Sequence, residues 1–256
     1  MITIISPTTT MNFDKNIKLN KSSTPIFSDE VDYLINLLKM LPISDIKSLM
    51  NLSDELSNLN FNRYSNFNKS DNKRLQSILA FDGEVFSSMN VSSFNNLDID
   101  FANKSLRILS GLYGILSPLD MIQPYRLEMK AKLDNNCGKD LYKFWKSKIT
   151  NYIMNELKNH DNPVLVNLAS SEYIKCIDLK LLKQSYKFVD IVFKEYNSID
   201  DTYKVKGLYA KKARGYMVEY IVKNKVNNIE TLKFFNKEGY KFNPDLSSDE
   251  VFTFTR

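Results

Sequence analysis

The segment Leu106-Arg-Ile-Leu-Ser-Gly-Leu-Tyr-Gly-Ile-Leu-Ser-Pro-Leu-Asp-Met-Ile-Gln-Pro-Tyr-Arg-Leu-Glu-Met129 constrains the chain more than any other. It is apolar enough for a core, yet Gly111 and Gly114 bracket Leu112-Tyr113 and permit a sharp bend or a close backbone approach. Pro118 and Pro124 forbid a long uninterrupted helix through it. Such a stretch is either a turn of the core or a binding hairpin, and it carries Asp120, Arg126 and Glu128.

The flanking sequence supplies the frame. Residues 2–6 predict a first strand, followed by irregular polar sequence over 8–27. Ser28 predicts the cap of a helix whose Val31, Leu34, Ile35 and Leu38 recur at helical spacing before Pro42. Ser44 and Ser53 predict caps of two shorter helices, and helices are expected over 71–80 and 98–108. Alternation over 126–133 predicts a strand. From Gly138 a long helix buries Leu141, Trp145, Ile149, Tyr152 and Leu157. Strands are expected at 164–169, 187–196, 202–209, 240–243 and 250–255, with helices over 209–224 and 229–235. No repeat or linker divides the chain. A helical amino-terminal half around a mixed sheet, in one α+β domain over 1–256, is the expected architecture.

Composition removes several chemistries. No apolar run is long enough to cross a bilayer, and the amino terminus lacks a basic, signal-like start, so a cytoplasmic protein without membrane contact is expected. Cys137 and Cys176 lie far apart, and the single histidine, His160, sits in a polar loop. Histidine-based catalysis and metal chemistry therefore have little to work with, and neither a metal nor a cofactor is expected. A net charge of +5 is compatible with nucleic acid but does not argue for it.

Distribution of charge says more. In Tyr209-Ala-Lys-Lys-Ala-Arg-Gly-Tyr-Met217, Tyr209, Ala213, Tyr216 and Tyr220 share one helical face, and Lys211, Arg214 and Gly215 share another, with Lys212 beside it. Cations in the opening turns of a helix oppose its dipole by roughly 0.3–1 kcal/mol each, whereas a bound anion would be favoured there. A solvated basic face is the competing reading. Arginine is scarce, and Arg107, Arg126 and Arg214 fall within these two blocks.

Leu109-Ser-Gly-Leu-Tyr-Gly114 is similar to the glycine-flanked turn of helix-hairpin-helix modules, with Ser110 in place of proline and Tyr113 as an additional residue. Beyond that motif, the chain resembles the bacterial peroxide-stress protein YaaA family. The resemblance rests on Ile5-Ser-Pro7, Leu109–Gly114 with Pro118-Leu-Asp120, Gln123–Met129, Gly138–Tyr142 with Phe144-Trp145, Asn167–Ser170 with Glu172-Tyr173, Tyr209–Gly215 and Glu238-Gly-Tyr240, in order along the chain. It implies a cytoplasmic DNA-binding protein that limits peroxide- and iron-dependent damage, with a compact α+β body, a basic cleft and a helix-hairpin-helix element. It attaches no firm enzymatic activity.

Gly111, Leu112, Tyr113 and Gly114 are then the expected phosphate-facing turn, and Lys211, Lys212, Arg214 and Gly215 the cleft wall. Arg126 and Lys139 are further candidates. DNA, duplex or distorted and with low sequence specificity, is the expected partner of a monomer. The chain departs from the family pattern at Thr8, Thr9, Asn12, Asp82 and Ser117, which predicts weaker or displaced DNA contacts. The alternative is a lyase- or nuclease-like enzyme acting on DNA or a phosphorylated substrate, with Lys211 or Lys212 as reactive amine and Asp120 or Glu128 as acid–base group. A direct iron-storage role lacks the ligand cluster it would need.

Overall fold

The computed structural model describes residues 1–17 and 19–256. Its strands are β1 (Ile2–Ile5), β2 (Leu75–Gln76), β3 (Leu106–Ser110), β4 (Gly114–Leu116), β5 (Met121–Ile122), β6 (Val164–Leu168), β7 (Lys187–Asn197), β8 (Thr202–Lys204), β9 (Lys241–Phe242) and β10 (Val251–Thr255). Helices α1 (Ser28–Lys39), α2 (Ile43–Met50), α3 (Asp54–Ser65), α4 (Ser77–Ala80), α5 (Glu84–Met89) and α6 (Asn96–Ser105) fill the stretch between β1 and β3. Then follow α7 (Leu141–Leu157), α8 (Leu179–Leu182), α9 (Gly207–Lys223) and α10 (Ile229–Leu232).

The main sheet is mixed, as expected for an α+β chain, and runs β4-β3-β1-β6-β7-β10-β9. Strands β3, β1, β6, β7 and β10 are parallel, while β4 and β9 close the two ends antiparallel. Buried strands of this kind carry continuous apolar runs, which is why Ile2–Ile5 and Leu106–Ser110 are buried at every position. Numbered by chain order, the parallel strands stand 2-1-3-4-5. Chain connections therefore leave β1 in opposite directions. In open sheets the crevice outside the carboxyl ends of such a pair, here β1 and β6, is where ligands bind.

Several local expectations change. Helix α6 stops at Ser105 and the central block begins as strand β3, because five consecutive buried residues complete the sheet beside β1. Residues 126–133 form no strand; they run as a loop fastened residue by residue. Pro42, not Ser44, caps α2, whereas Ser53 caps α3 through the Leu56 N–H at 3.3 Å, as expected. The Tyr209 block lies in α9, but that helix begins at Gly207, earlier than its apolar spacing suggests.

The central turn is the largest correction. Gly111–Gly114 joins two strands, not two helices, so it is no helix-hairpin-helix, and Leu112 and Tyr113 are buried. The Trp145 indole N–H donates to the Gly111 carbonyl at 2.8 Å. Gly114 has φ +69°, and a Cβ there would lie 2.6 Å from the Trp145 ring. At Gly111 a Cβ would strike the Leu127 carbonyl. The Tyr113 N–H donates to Ser110 Oγ at 2.9 Å, and Ser110 and Tyr125 share a hydrogen bond of 2.6 Å. The Tyr113 amide and the Gly111 carbonyl face protein, and the turn belongs to the core. Short connections between consecutive helices occur at several places, α2 and α3 among them, which meet across Asn51, left-handed at φ 51°, Leu52 and Ser53.

Candidate functional site at the carboxyl edge of the sheet

Ser6 follows β1 and Ser170 follows β6. The Ser170 N–H donates to Ser6 Oγ at 2.8 Å, and the two hydroxyl oxygens lie 3.2 Å apart. This pair closes the point at which the strand order reverses. Asn167, on β6, accepts the Ala169 N–H at 2.9 Å and donates to Asp190 Oδ1 on β7 at 2.8 Å. Burial pushes the Asp190 carboxyl above its usual range, against the opposing pull of Asn167 and the nearby Arg214 guanidinium. Arg214 in turn is pushed below the ordinary arginine range by burial, and its Nε has no acceptor among the described residues.

Across the carboxyl end of β1, Pro7, Thr8 and Thr9 face Tyr125, Arg126, Leu127, Glu128 and Tyr173 in a narrow slit. The loop that supplies the second wall is held from behind. Tyr64 donates its hydroxyl hydrogen to the Arg126 carbonyl, while Arg126 Nη2 reaches Glu128 at 3.3 Å. Lys130 lies 3.4 Å from Glu128 and 3.9 Å from Glu172. Arg126 Nε, like that of Arg214, is buried without an acceptor. By contrast Arg107, on β3, is fully engaged by Glu156, Tyr152 and two backbone carbonyls. The fork geometry of arginine is thus spent on packing at Arg107 and left partly open at Arg126 and Arg214.

The sequence-predicted residues divide into three groups. Gly111, Leu112, Tyr113 and Gly114 are core. Gly215 is also packing: a Cβ there would collide with the Val85 carbonyl and approach Ser88 Cβ to 2.7 Å, so it lets α9 cross α5 closely and leaves no face for a ligand backbone. Of the predicted inward face of α9, Ala213 is buried, Tyr216 and Tyr220 are half-buried, and Tyr209 is 42% exposed.

Lys211 is exposed; Lys212 lies 3.8 Å from Glu84 at the start of α5. Lys139 is exposed in the turn before α7. Asp120 accepts from Ser23 Oγ at 2.7 Å and from the Ser117 N–H at 2.8 Å. It sits at the far end of the β3–β4 hairpin, whereas Glu128 lies beside Gly111. The two carboxylates are not brought together, so the paired acid–base arrangement does not form.

Ser6, Asp190 and the Arg126 slit carried no spacing signal that would join them. Three departures from the family pattern do gather here. The Asp82 N–H donates to the Thr10 carbonyl at 3.0 Å, Asp82 pairs with Lys15 at 3.1 Å, and a Cβ on Gly83 would lie 2.6 Å from Thr8 Oγ1. Thr8, Thr9 and Asp82 thus lie on facing segments at the mouth of the slit. Among the described residues no cluster of three or more metal-ligating side chains occurs, and no helix is long and apolar enough to cross a membrane.

Together these features define an α+β protein with a polar crevice at the strand-order reversal of a mixed sheet. The chain belongs to the peroxide stress protein YaaA family, whose model matches residues 1–246. It is 44% identical to a UPF0246 protein of Clostridium botulinum Eklund 17B, covering all of this chain and 99% of the relative. It is 41% identical to one from Legionella pneumophila Lens and 42% identical to one from Saccharophagus degradans, each over all of this chain and 99% of the relative.

Proposed function

We propose that the protein serves peroxide defence in the cytoplasm by holding DNA, duplex or distorted, through its phosphates at the exposed start of α9, with little dependence on base sequence. The family supports the first part of this reading. The second rests on one observation: the first turn of this 17-residue helix has no acidic residue and no side-chain cap, and Lys206 stands at the cap position. Its first N–H groups have no intrahelical acceptor. Lys206, Gly207, Leu208, Tyr209 and Lys211 are exposed, and nothing lies within 4 Å of a Cβ built on Gly207. Helix dipole, free amides and exposed lysines together favour an anion such as a phosphate at this helix end. Tyr209, 42% exposed, leaves part of its ring open beside it, with the Arg256 guanidinium over the ring at 5.1 Å.

The test is fluorescence anisotropy of a labelled duplex across a salt series, comparing the native protein with Lys206→Glu/Lys211→Glu. Loss of two phosphate contacts should lower affinity about tenfold or more and reduce the log–log salt slope by about 2. Unchanged affinity and slope in the double variant would overturn the assignment. Arg214 is left out because its half-buried guanidinium beside Asp190 makes charge reversal a packing change as well.

A further inference from the structure

A cavity away from α9 has walls of mixed chemistry. A groove of about 840 Å³ runs between the α1–α2 corner and the loop that follows Gln123. One wall is largely apolar, made by Leu37, Met40, Leu41, Leu49 and Met50, and Leu133 faces it from the loop; Met40 is 72% exposed. The other wall is charged. Arg126 and Glu128 line this groove and also the slit at the carboxyl end of β1.

A volume of this size is typical of sites that enclose a small organic molecule. Two features indicate its chemistry. The Arg126 Nε–H is buried and lacks an acceptor, and Glu128 reaches only Nη2 of that guanidinium. The Arg126 side chain is 21% exposed, and the guanidinium N–H groups that Glu128 leaves unused can hold an oxygen acceptor entering the groove through charge-assisted hydrogen bonds. Lys130 and Lys132 stand on the same wall, and Lys132 makes no ion pair with the described residues. Asp45, Glu128 and Asp134 also line the groove and balance its three cations, so the head group is selected by the open guanidinium N–H groups of Arg126, not by net charge. Arg63 adds positive potential beside Arg126; burial, with a smaller contribution from Arg126 and against Tyr64, pushes the Arg63 guanidinium below the ordinary arginine range.

We propose that this groove binds a small amphiphile with an anionic oxygen head, the head on Arg126 and the apolar body along Leu37, Leu41, Leu49 and Leu133. The site is separate from the α9 surface, and the two readings stand or fall independently.

Isothermal titration of the full chain with decanoate, decanol and decyltrimethylammonium tests it. Decanoate should bind one-to-one, at least tenfold tighter than decanol, and the cationic analogue should give no saturable heat. Arg126→Met keeps the apolar stem and the backbone carbonyl used by Tyr64; it should reduce decanoate to the affinity of decanol. Should that variant fail to fold, Leu49→Trp, from the half-buried opposite wall, should block both decanoate and decanol while a circular dichroism melt reports an intact fold. Lys206→Glu/Lys211→Glu should bind decanoate as the native protein does. Equal affinity for the three head groups would overturn the proposal. So would unaltered decanoate binding in both groove variants, or displacement of decanoate by duplex DNA at concentrations that saturate α9.

Discussion

The Gly111–Gly114 turn and the start of α9 resemble each other in sequence, each placing glycine among apolar and aromatic residues beside a possible phosphate contact. The structure separates them completely. The first is sealed by Trp145, Leu127 and Tyr125, and its polar groups are satisfied inside the protein. The second exposes an uncapped helix end. What distinguishes them is where their backbone hydrogen bonds go, since a buried amide needs a protein partner and an exposed one can wait for a ligand. Substitution should therefore cost stability at the turn and leave it almost untouched at the helix start.

The largest effect is expected from Gly111→Ala. The added methyl meets a backbone carbonyl, which cannot rotate away. Overpacking of this kind costs about 3 kcal/mol, and the melting temperature should fall by roughly 6–12 °C at about 2–4 °C per kcal/mol. A fall below 2 °C would mean that the turn is not sealed against the Leu127 carbonyl.

The carboxyl end of α9 sharpens the contrast, because it is tied down where the start is free. Asp98 closes the capping box of α6 and receives Lys223 at 2.9 Å and Lys225. Burial would raise its pKa, but the two lysines and the Asn95 N–H outweigh burial and hold it at about 2. Its contribution is therefore complete above the unfolded value near 3.8 and is lost as pH falls toward 2. Asp98→Ala should cost about 2–3 kcal/mol at neutral pH through the lost cap and charged hydrogen bonds. Urea unfolding at pH 7 and at pH 2.5 checks this, with the difference between variant and native protein shrinking at the lower pH.

Legibility of the sequence followed the same division. Helices α1 and α7 and strands β1, β6 and β10 were readable because each carries its periodicity within one short window. Leu106–Ser110 was not, since a short apolar run fits a buried helix as well as a strand; only its neighbour β1, a hundred residues earlier, decides. The start of α9 was misplaced because it has no cap residue to announce it. Gly111 and Gly215 were taken for ligand approaches when the backbones that approach them are Leu127 and Val85. The resemblance identified the family and could not say which of its blocks faced inward. The Arg126 groove escaped altogether, as its two walls come from residues 37–51 and 126–134.

A smaller effect should come from the corner between the amino terminus and the loop after α7. Burial lowers the Met1 amine from 8.0 to about 6, with Asp161 opposing and Lys104 assisting. Burial, the Met1 amine and Lys104 lower His160 from 6.5 to about 4. Both folded values lie below the unfolded ones, so the unfolded chain binds more protons in each window. Stability should decline as pH falls from 8 to 6 through the amine, and from 6.5 to 4 through His160. His160→Gln should flatten only the lower limb of the stability–pH curve; an unchanged lower limb would place that proton uptake elsewhere.

The smallest shift carries the sharpest contrast, because its sign separates folding from binding. Lys206 occupies a cap position where aspartate is strongly preferred, on a helix with no acid in its first turn. Lys206→Asp supplies an acceptor for the free amides and a favourable charge for the dipole. It should stabilise the fold by about 0.5–1 kcal/mol, a rise of roughly 1–4 °C. The same change places a carboxylate where a phosphate would sit, so DNA affinity should fall as the melting temperature rises. Opposite movements in calorimetry and anisotropy would show that this helix end is left uncapped at the expense of stability. If stability rises with affinity unchanged, the exposed lysines are a solvated face, and the contrast with the sealed turn is one of burial alone.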